Sequence, residues 1–372
     1  MLSKLWALVG RLLGRNRFDL DDEDVATLPA PAQSESYRVT TSPMSRPPAE
    51  QTSSSVPPPG AESTHPIPSQ VIDATDDTLG AALRAHLDAC FDWLRDPGRL
   101  AAGGADFAAV LDALARPPRA LVPQLPQAAR EALALTQDAE SDTEALVAQI
   151  RKDPALAQSL LRTANSSYYA TTQPISSISD AVTRIGRTGV SNVVLHHVVG
   201  GLLCTPGRPF QGMPEALWDH MQHAAPLARY IAPAFNAHPE HAFTLALLHD
   251  VGKLVIFDHV AELRRSMRRE LKLTPEGVRM ILGALHEPLG GMACLSWQLS
   301  PHIARAVANH HRRAAPTHSE PLGEVLFVAD RADILRRNDQ DLDLDALWAL
   351  GQLRASGARV VQRLQEALEQ AA

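Results

Sequence analysis

An all-α fold is the architecture this sequence predicts, and three observations predict it. From residue 77 almost to the end, apolar residues recur at three- and four-residue intervals, the spacing of a helix face. No alternating apolar and polar run long enough for a useful strand interrupts that pattern. The same region is rich in Ala, Leu, Arg and Glu, which favour helix on propensity alone. With 372 residues, 45% of them hydrophobic, the chain can build a sizeable core and more than one ordinary domain. No repeat of fixed period is visible, so a solenoid is not expected.

Residues 1–18, MLSKLWALVGRLLGRNRF, put Leu2, Leu5, Trp6, Val9, Leu12 and Leu13 at helical spacing. Lys4, Arg11, Arg15 and Arg17 accompany them with no acid, which describes a short basic amphipathic helix. Such a helix either docks on a partner or makes weak peripheral contact with an anionic membrane surface. Arg11 breaks its apolar stretch and no small-residue cleavage site follows, so a cleaved signal peptide does not fit.

Residues 19–76 turn to Pro, Ser, Thr and Ala, as in SRPPAE, SVPPPGAES and HPIPSQ. They carry too little apolar surface to repay ordering and read as a disordered, proline-stiffened linker. Residues 77–118 read as a helical extension. Leu79, Leu83, Leu87, Phe91 and Leu94 line one face of its first helix, and Phe107, Val110, Leu111 and Leu114 one face of its second. Gly98, Gly103 and Gly104 separate the two.

The formal charge of -7 argues against nucleic acid as the main partner, since phosphate binding calls for an excess of Lys and Arg. Cys90, Cys204 and Cys294 are odd in number and far apart, giving neither a disulfide framework nor a zinc-finger spacing. A reducing cytoplasm fits that usage. No stretch approaches the ~20 apolar residues that span a bilayer. The expected location is the cytoplasm, with residues 1–18 offering peripheral contact at the inner membrane surface.

The main module begins near residue 119 with LVPQLPQAAREALAL. Ser141 or Asp142 can cap a helix whose apolar face is Leu146, Val147 and Ile150. Asp153 can cap the next, with Pro154 at the first helical position, where its missing N–H costs nothing. Leu156, Leu160 and Leu161 are then core, Asn165 and Ser166 end the helix, and two tyrosines follow. Ser176 or Ser177 starts another helix, with Ile178, Ala181, Val182 and Ile185 leading to Gly186. The order LVPQLP, KDPALAQSLLRTANSSYY, PISSISDAVTRIGR and then a helical stretch containing HD resembles the HDOD family, the HD-related output domain of bacterial signalling proteins. The likeness runs from Leu121 to Arg337. It implies a two-lobed helical module over residues 119–337, followed by a C-terminal helical segment at 338–372.

The second lobe carries His220, then His249 and Asp250 after the apolar run FTLALL, then His286, His310 and His311, and Asp330 after VLFVA. Polar groups at the ends of apolar helical runs point into a core, where an unpaired carboxylate or imidazole is costly. Either they satisfy one another or a cation satisfies them. Imidazole and carboxylate suit Mn, Fe, Zn or Ni, and one carboxylate can bridge two ions. The order H, HD, H, HH, D resembles that of metal-dependent HD and HD-GYP phosphohydrolases. By that resemblance His220, His249, Asp250 and Asp330 form a first metal site, and His286, His310 and His311 complete a second. It also gives Asp250 and Lys253 catalytic roles, Lys253 as the phosphate contact. The remaining histidines, including His196, His223, His238 and His302, read as structural or surface groups.

After His311 the chain runs RRAAPTHSEPLG, without the glycine-rich GYP segment, so cyclic di-GMP hydrolysis is not supported. The first lobe contains no catalytic constellation. The expectation is therefore a bacterial regulatory protein that acts through contacts with protein partners, with one or two divalent cations in its HD site. The rival is a metal-dependent phosphohydrolase acting on a nucleotide or other phosphate-containing ligand. Two ions would position a water for attack on phosphorus, and Lys253 would offset the developing charge.

Overall fold

The computed structural model describes residues 72, 74–115, 122–138, 140–169, 173–204, 210, 212–311 and 320–337, with isolated positions between 347 and 363. The expected amphipathic helix at 1–18 and the linker as far as residue 71 lie outside the described residues, as does most of 338–372. The described residues contain helices and no strand. No helix among them is long and apolar enough to cross a membrane.

Three helices come first: α1 (Leu79–Leu94), α2 (Pro97–Gly103) and α3 (Phe107–Leu114). All nine apolar residues that the periodicity places on the faces of α1 and α3 are buried. Each such burial stabilises by about 1.5–3 kcal/mol relative to exposure. Gly104, at φ 102°, turns the chain between α2 and α3, a region that side chains with a Cβ rarely enter.

The first lobe follows as α4 (Gln127–Gln137), α5 (Thr143–Ile150), α6 (Pro154–Ala164) and α7 (Ile178–Leu203), with a 3-10 turn at Ser167–Tyr169. Asp142, and not Ser141, caps α5 by accepting from Glu144 N at 3.0 Å. Asp153 caps α6 through the N–H groups of Ala155 and Leu156, and Ser177 caps α7 through that of Asp180. Caps of this kind are worth about 1 kcal/mol each. The helix expected to stop at Gly186 resumes beyond it: Gly186, at φ 74° and ψ 168°, kinks α7, which continues to Leu203. Arg187 then ties α7 to the end of α4 and the turn before α5 by donating to the carbonyls of Leu135, Asp138 and Ser141.

The second lobe comprises α8 (Met213–Ile231), α9 (Pro239–Leu248), α10 (Val251–Met267), α11 (Pro275–Ser296), α12 (Pro301–Ala308) and α13 (Pro321–Arg337). α9 packs on α8, α12 and α13, and α11 packs between α10 and α12. The extension is part of this lobe: α1 lies on α11 and α12, α2 on α11, and α3 on α10. Asp106 locks it there, accepting from both Arg269 nitrogens and from Lys272 N.

The linker ends earlier than its composition predicts. Ile72 is buried, and its backbone pairs with the Asn309 side chain. A lone apolar residue with partners more than two hundred positions away leaves no local pattern to read.

A buried polar lock joins the lobes. Glu240 at the start of α9 accepts from Tyr169 Oη at 2.6 Å, Asn192 Nδ2 at 2.8 Å and Arg229 Nη2 at 2.9 Å. The Arg229 guanidinium stacks 3.9 Å from the Phe243 ring centroid. Burial pushes the Tyr169 phenol far above its ordinary range, so it acts as a fixed donor and not as an acid.

Candidate metal centre

Six helices, or the turns at their ends, bring the expected ligands to one place. His249 and Asp250 occupy the joint between α9 and α10, His220 comes from α8, His286 from α11, and Asp330 from α13. His310 and His311 follow the end of α12. Close backbone approach makes the convergence work. A Cβ on Gly252 would lie 1.8 Å from the carbonyl oxygen of His286, so α10 meets α11 backbone to backbone beside Asp250.

The side-chain atoms form two groups that share Asp250. In the first, His220 Nε2 lies 3.2 Å from His249 Nε2 and 3.2 Å from Asp330 Oδ1, and His249 Nε2 lies 3.5 Å from Asp250 Oδ2. In the second, Asp250 Oδ1 lies 3.6 Å from both His286 Nε2 and His310 Nε2, and His311 joins from the exposed side. Ligands that share one cation through bonds of about 2.1 Å stand about 3.0–3.4 Å apart, close to these separations.

Local geometry orients the rings. His249 Nδ1 meets the carbonyl of Ala246 at 2.8 Å, His286 Nδ1 that of Leu282 at 2.7 Å, and His310 Nδ1 that of Val307 at 2.7 Å. A carbonyl only accepts, so each Nδ1 carries the hydrogen, and in the neutral ring the Nε2 lone pair faces inward. His220 differs: its Nδ1 donates to Asp333, a fully buried carboxylate, at 2.7 Å.

Asp250 Oδ1, His286 Nε2 and His310 Nε2 are buried and lack hydrogen-bond partners. Three inward-facing orphans around one point are what a cation would satisfy, so the residues fit a divalent ion.

The electrostatics agree. Burial alone would raise the Asp250 carboxyl, but Lys253 and His249 outweigh it and hold it well below the usual range. Burial pushes His249 down to about 4 and, with the Lys253 charge, pushes His286 lower as well. For His220, burial is outweighed by the Asp330 and Asp333 carboxylates, which hold it up at about 9. At His310 too, burial is outweighed, here by Asp250 and Glu287. The ionised Asp250 therefore sits between neutral His249 and His286 on one hand and the upshifted His220 and His310 on the other. Lys253 Nζ donates to Asp250 Oδ2 at 2.5 Å from the first turn of α10. The half-buried Lys253 and the exposed His311 mark the side of the centre that meets solvent.

Sequence reasoning placed Asp250, Lys253 and all six other ligand candidates in one cluster and missed three supporting residues. Asp333 lies one helical turn after Asp330 in VADRAD, a spacing that could have flagged it. Glu287, beside His286, accepts from the N–H of His311 at 3.0 Å. Asn309 precedes His310 and faces away from the centre toward Ile72.

Fold and site together define a two-lobed, all-helical HD-type domain. The chain belongs to the HDOD family, whose model, the HDOD domain, matches residues 122–313. Two solved structures from Shewanella amazonensis SB2B share the fold. One, provisionally named a phosphohydrolase, is 20% identical with a TM-score of 0.51, covering 72% of this chain and 99% of that one. The other, provisionally named a metal-dependent phosphohydrolase, is 20% identical with a TM-score of 0.50, covering 71% and 89%. An uncharacterized protein of Treponema pallidum (strain Nichols) is 25% identical over 219 residues, 56% of this chain. The match covers 41% of that relative's length.

Proposed function

We propose that this HDOD chain binds divalent cations at the Asp250 centre and hydrolyses a small phosphate ester there. The observation that carries the reading is the sharing of Asp250, whose two oxygens serve two histidine groups, one of them left with three unpartnered buried atoms. A bound divalent ion supplies Lewis acidity toward a phosphoryl oxygen and lowers the pKa of water. His249 and His286, neutral with their hydrogens fixed on Nδ1, offer lone pairs at Nε2. Asp250 stays ionised among them. Lys253, on the solvent side, would meet a phosphate oxygen and offset its charge. The provisional names of the two Shewanella proteins point the same way.

A second reading, a regulatory module that acts through protein contacts with the cation in a structural role, is favoured by one specific contact. Lys253 already neutralises Asp250 Oδ2, and a built-in cation there reduces the need for a second ion.

Elemental analysis of the purified chain, followed by a panel of phosphomonoesters and phosphodiesters with added Mn2+, separates the two. Turnover that falls at least a hundredfold in Asp250→Ala supports the hydrolase. Bound metal without turnover selects the regulatory module, and absence of metal from the protein even after Mn2+ addition overturns both.

A further inference from the structure

The turn that presents His310 and His311 is held from two sides. On one side Glu287 accepts from the His311 N–H. On the other, Asn309, 1% exposed, makes a two-point pair with a single residue at the start of the module. Ile72 N donates to Asn309 Oδ1 at 2.9 Å, and Asn309 Nδ2 donates to Ile72 O at 3.2 Å. The same amide donates to Arg305 O at 2.9 Å, closing the last turn of α12. One turn back, Arg305 donates from Nε to Ala74 O at 3.1 Å and from Nη2 to Asp76 Oδ1 at 2.6 Å. The side chain of Ile72 is itself buried in the core. His220, His249 and Asp330 sit on α8, α9 and α13, and none of these bonds reaches them.

We propose that Ile72 and residues 74–76 form a strap that sets the His310–His311 half of the centre, with Asn309 and Arg305 as its positioning residues. An amide paired to both polar groups of one backbone residue fixes direction as well as distance, and metal ligands lose affinity when their supporting contacts loosen. The effect on cations rests on the metal reading above; the effect on the turn does not.

The test uses the full-length chain with Arg305→Ala, Asn309→Leu, or both. In the metal-free proteins, amide hydrogen exchange at residues 309–311 is expected to accelerate at least tenfold while exchange at 246–250 stays at the native rate. In Mn2+ titrations, one of two binding phases is expected to weaken by about 10–100-fold and the other to hold. Unchanged exchange at 309–311 overturns the strap, and so does equal acceleration at both halves, which reports general loosening. A native chain that takes up no Mn2+ overturns the metal reading, while the exchange comparison still decides the strap. Should Asn309→Leu fail to fold, Arg305→Ala, which removes only the outer contacts, carries the same expected pattern.

Discussion

Asp333 is fully buried against the ring of His220, and a buried carboxylate that orients a histidine both fixes its tautomer and raises its basicity as a ligand. Asp333→Ala is expected to lower cation affinity at the His220–His249 group by about 10–100-fold, read by calorimetric titration with Mn2+. Asp333→Asn keeps an acceptor for Nδ1 and should lose less. Affinity unchanged in both variants would show that His220 needs no such support. His249, Asp250 and Asp330 were legible because polar residues ending apolar runs such as FTLALL and VLFVA are conspicuous, while His220, His286, His310 and His311 came from the family resemblance. Asp333, Glu287 and Asn309 were not legible, because their value lies in what they touch across the fold, and one residue of sequence context does not carry that.

At the level of elements, the periodicity that revealed α1 and α3 gave no hint of where they dock. Their apolar faces pack on α10, α11 and α12, and a polar contact with the loop before α11 fixes the joint ahead of α3. Asp106 precedes α3 but makes no side-chain cap to it; its carboxylate receives Arg269 at 2.6 and 2.7 Å and Lys272 N at 2.6 Å. Arg269, followed by the Lys272 N–H, holds the Asp106 carboxyl well below the usual carboxylate range. A carboxyl depressed in the folded state contributes stability that is complete above its unfolded pKa, near 4, and is lost as pH falls through the lower folded value. Thermal melts followed by circular dichroism should therefore show native chain above Asp106→Asn at pH 6, with the gap closing as pH falls from about 4 toward 2. A gap that is constant with pH would assign the loss to packing instead.

For the molecule as a whole, the length of the ordered module is longer at its amino end than composition suggests. A chain lacking residues 1–71 should melt like the full protein, whereas one lacking 1–76 loses the buried Ile72 side chain and the partners of Arg305 and Asn309. Burial of one Ile contributes about 1.5–3 kcal/mol, so the longer deletion should lower the Tm by several degrees. Equal melting temperatures would return the boundary to Asp77. Fold class, lobe order and the motif-bearing helices were readable because they repeat locally; the docking of the extension and the lobe lock were not, since both depend on pairs far apart in the chain. That lock leaves a mark on what sequence change the protein can absorb. Helix α9 holds Glu240 in the lock near one end and leads into His249 at the other, and between them it advances about 13.5 Å through two and a half turns. Inserting or deleting one residue anywhere in that interval swings one end by about 100° against the other, so either Glu240 leaves Tyr169 and Arg229 or His249 leaves the centre. Single exchanges along α9 can be tolerated one by one, but its length is a gauge that two distant sites read at once, and it cannot drift while both are kept.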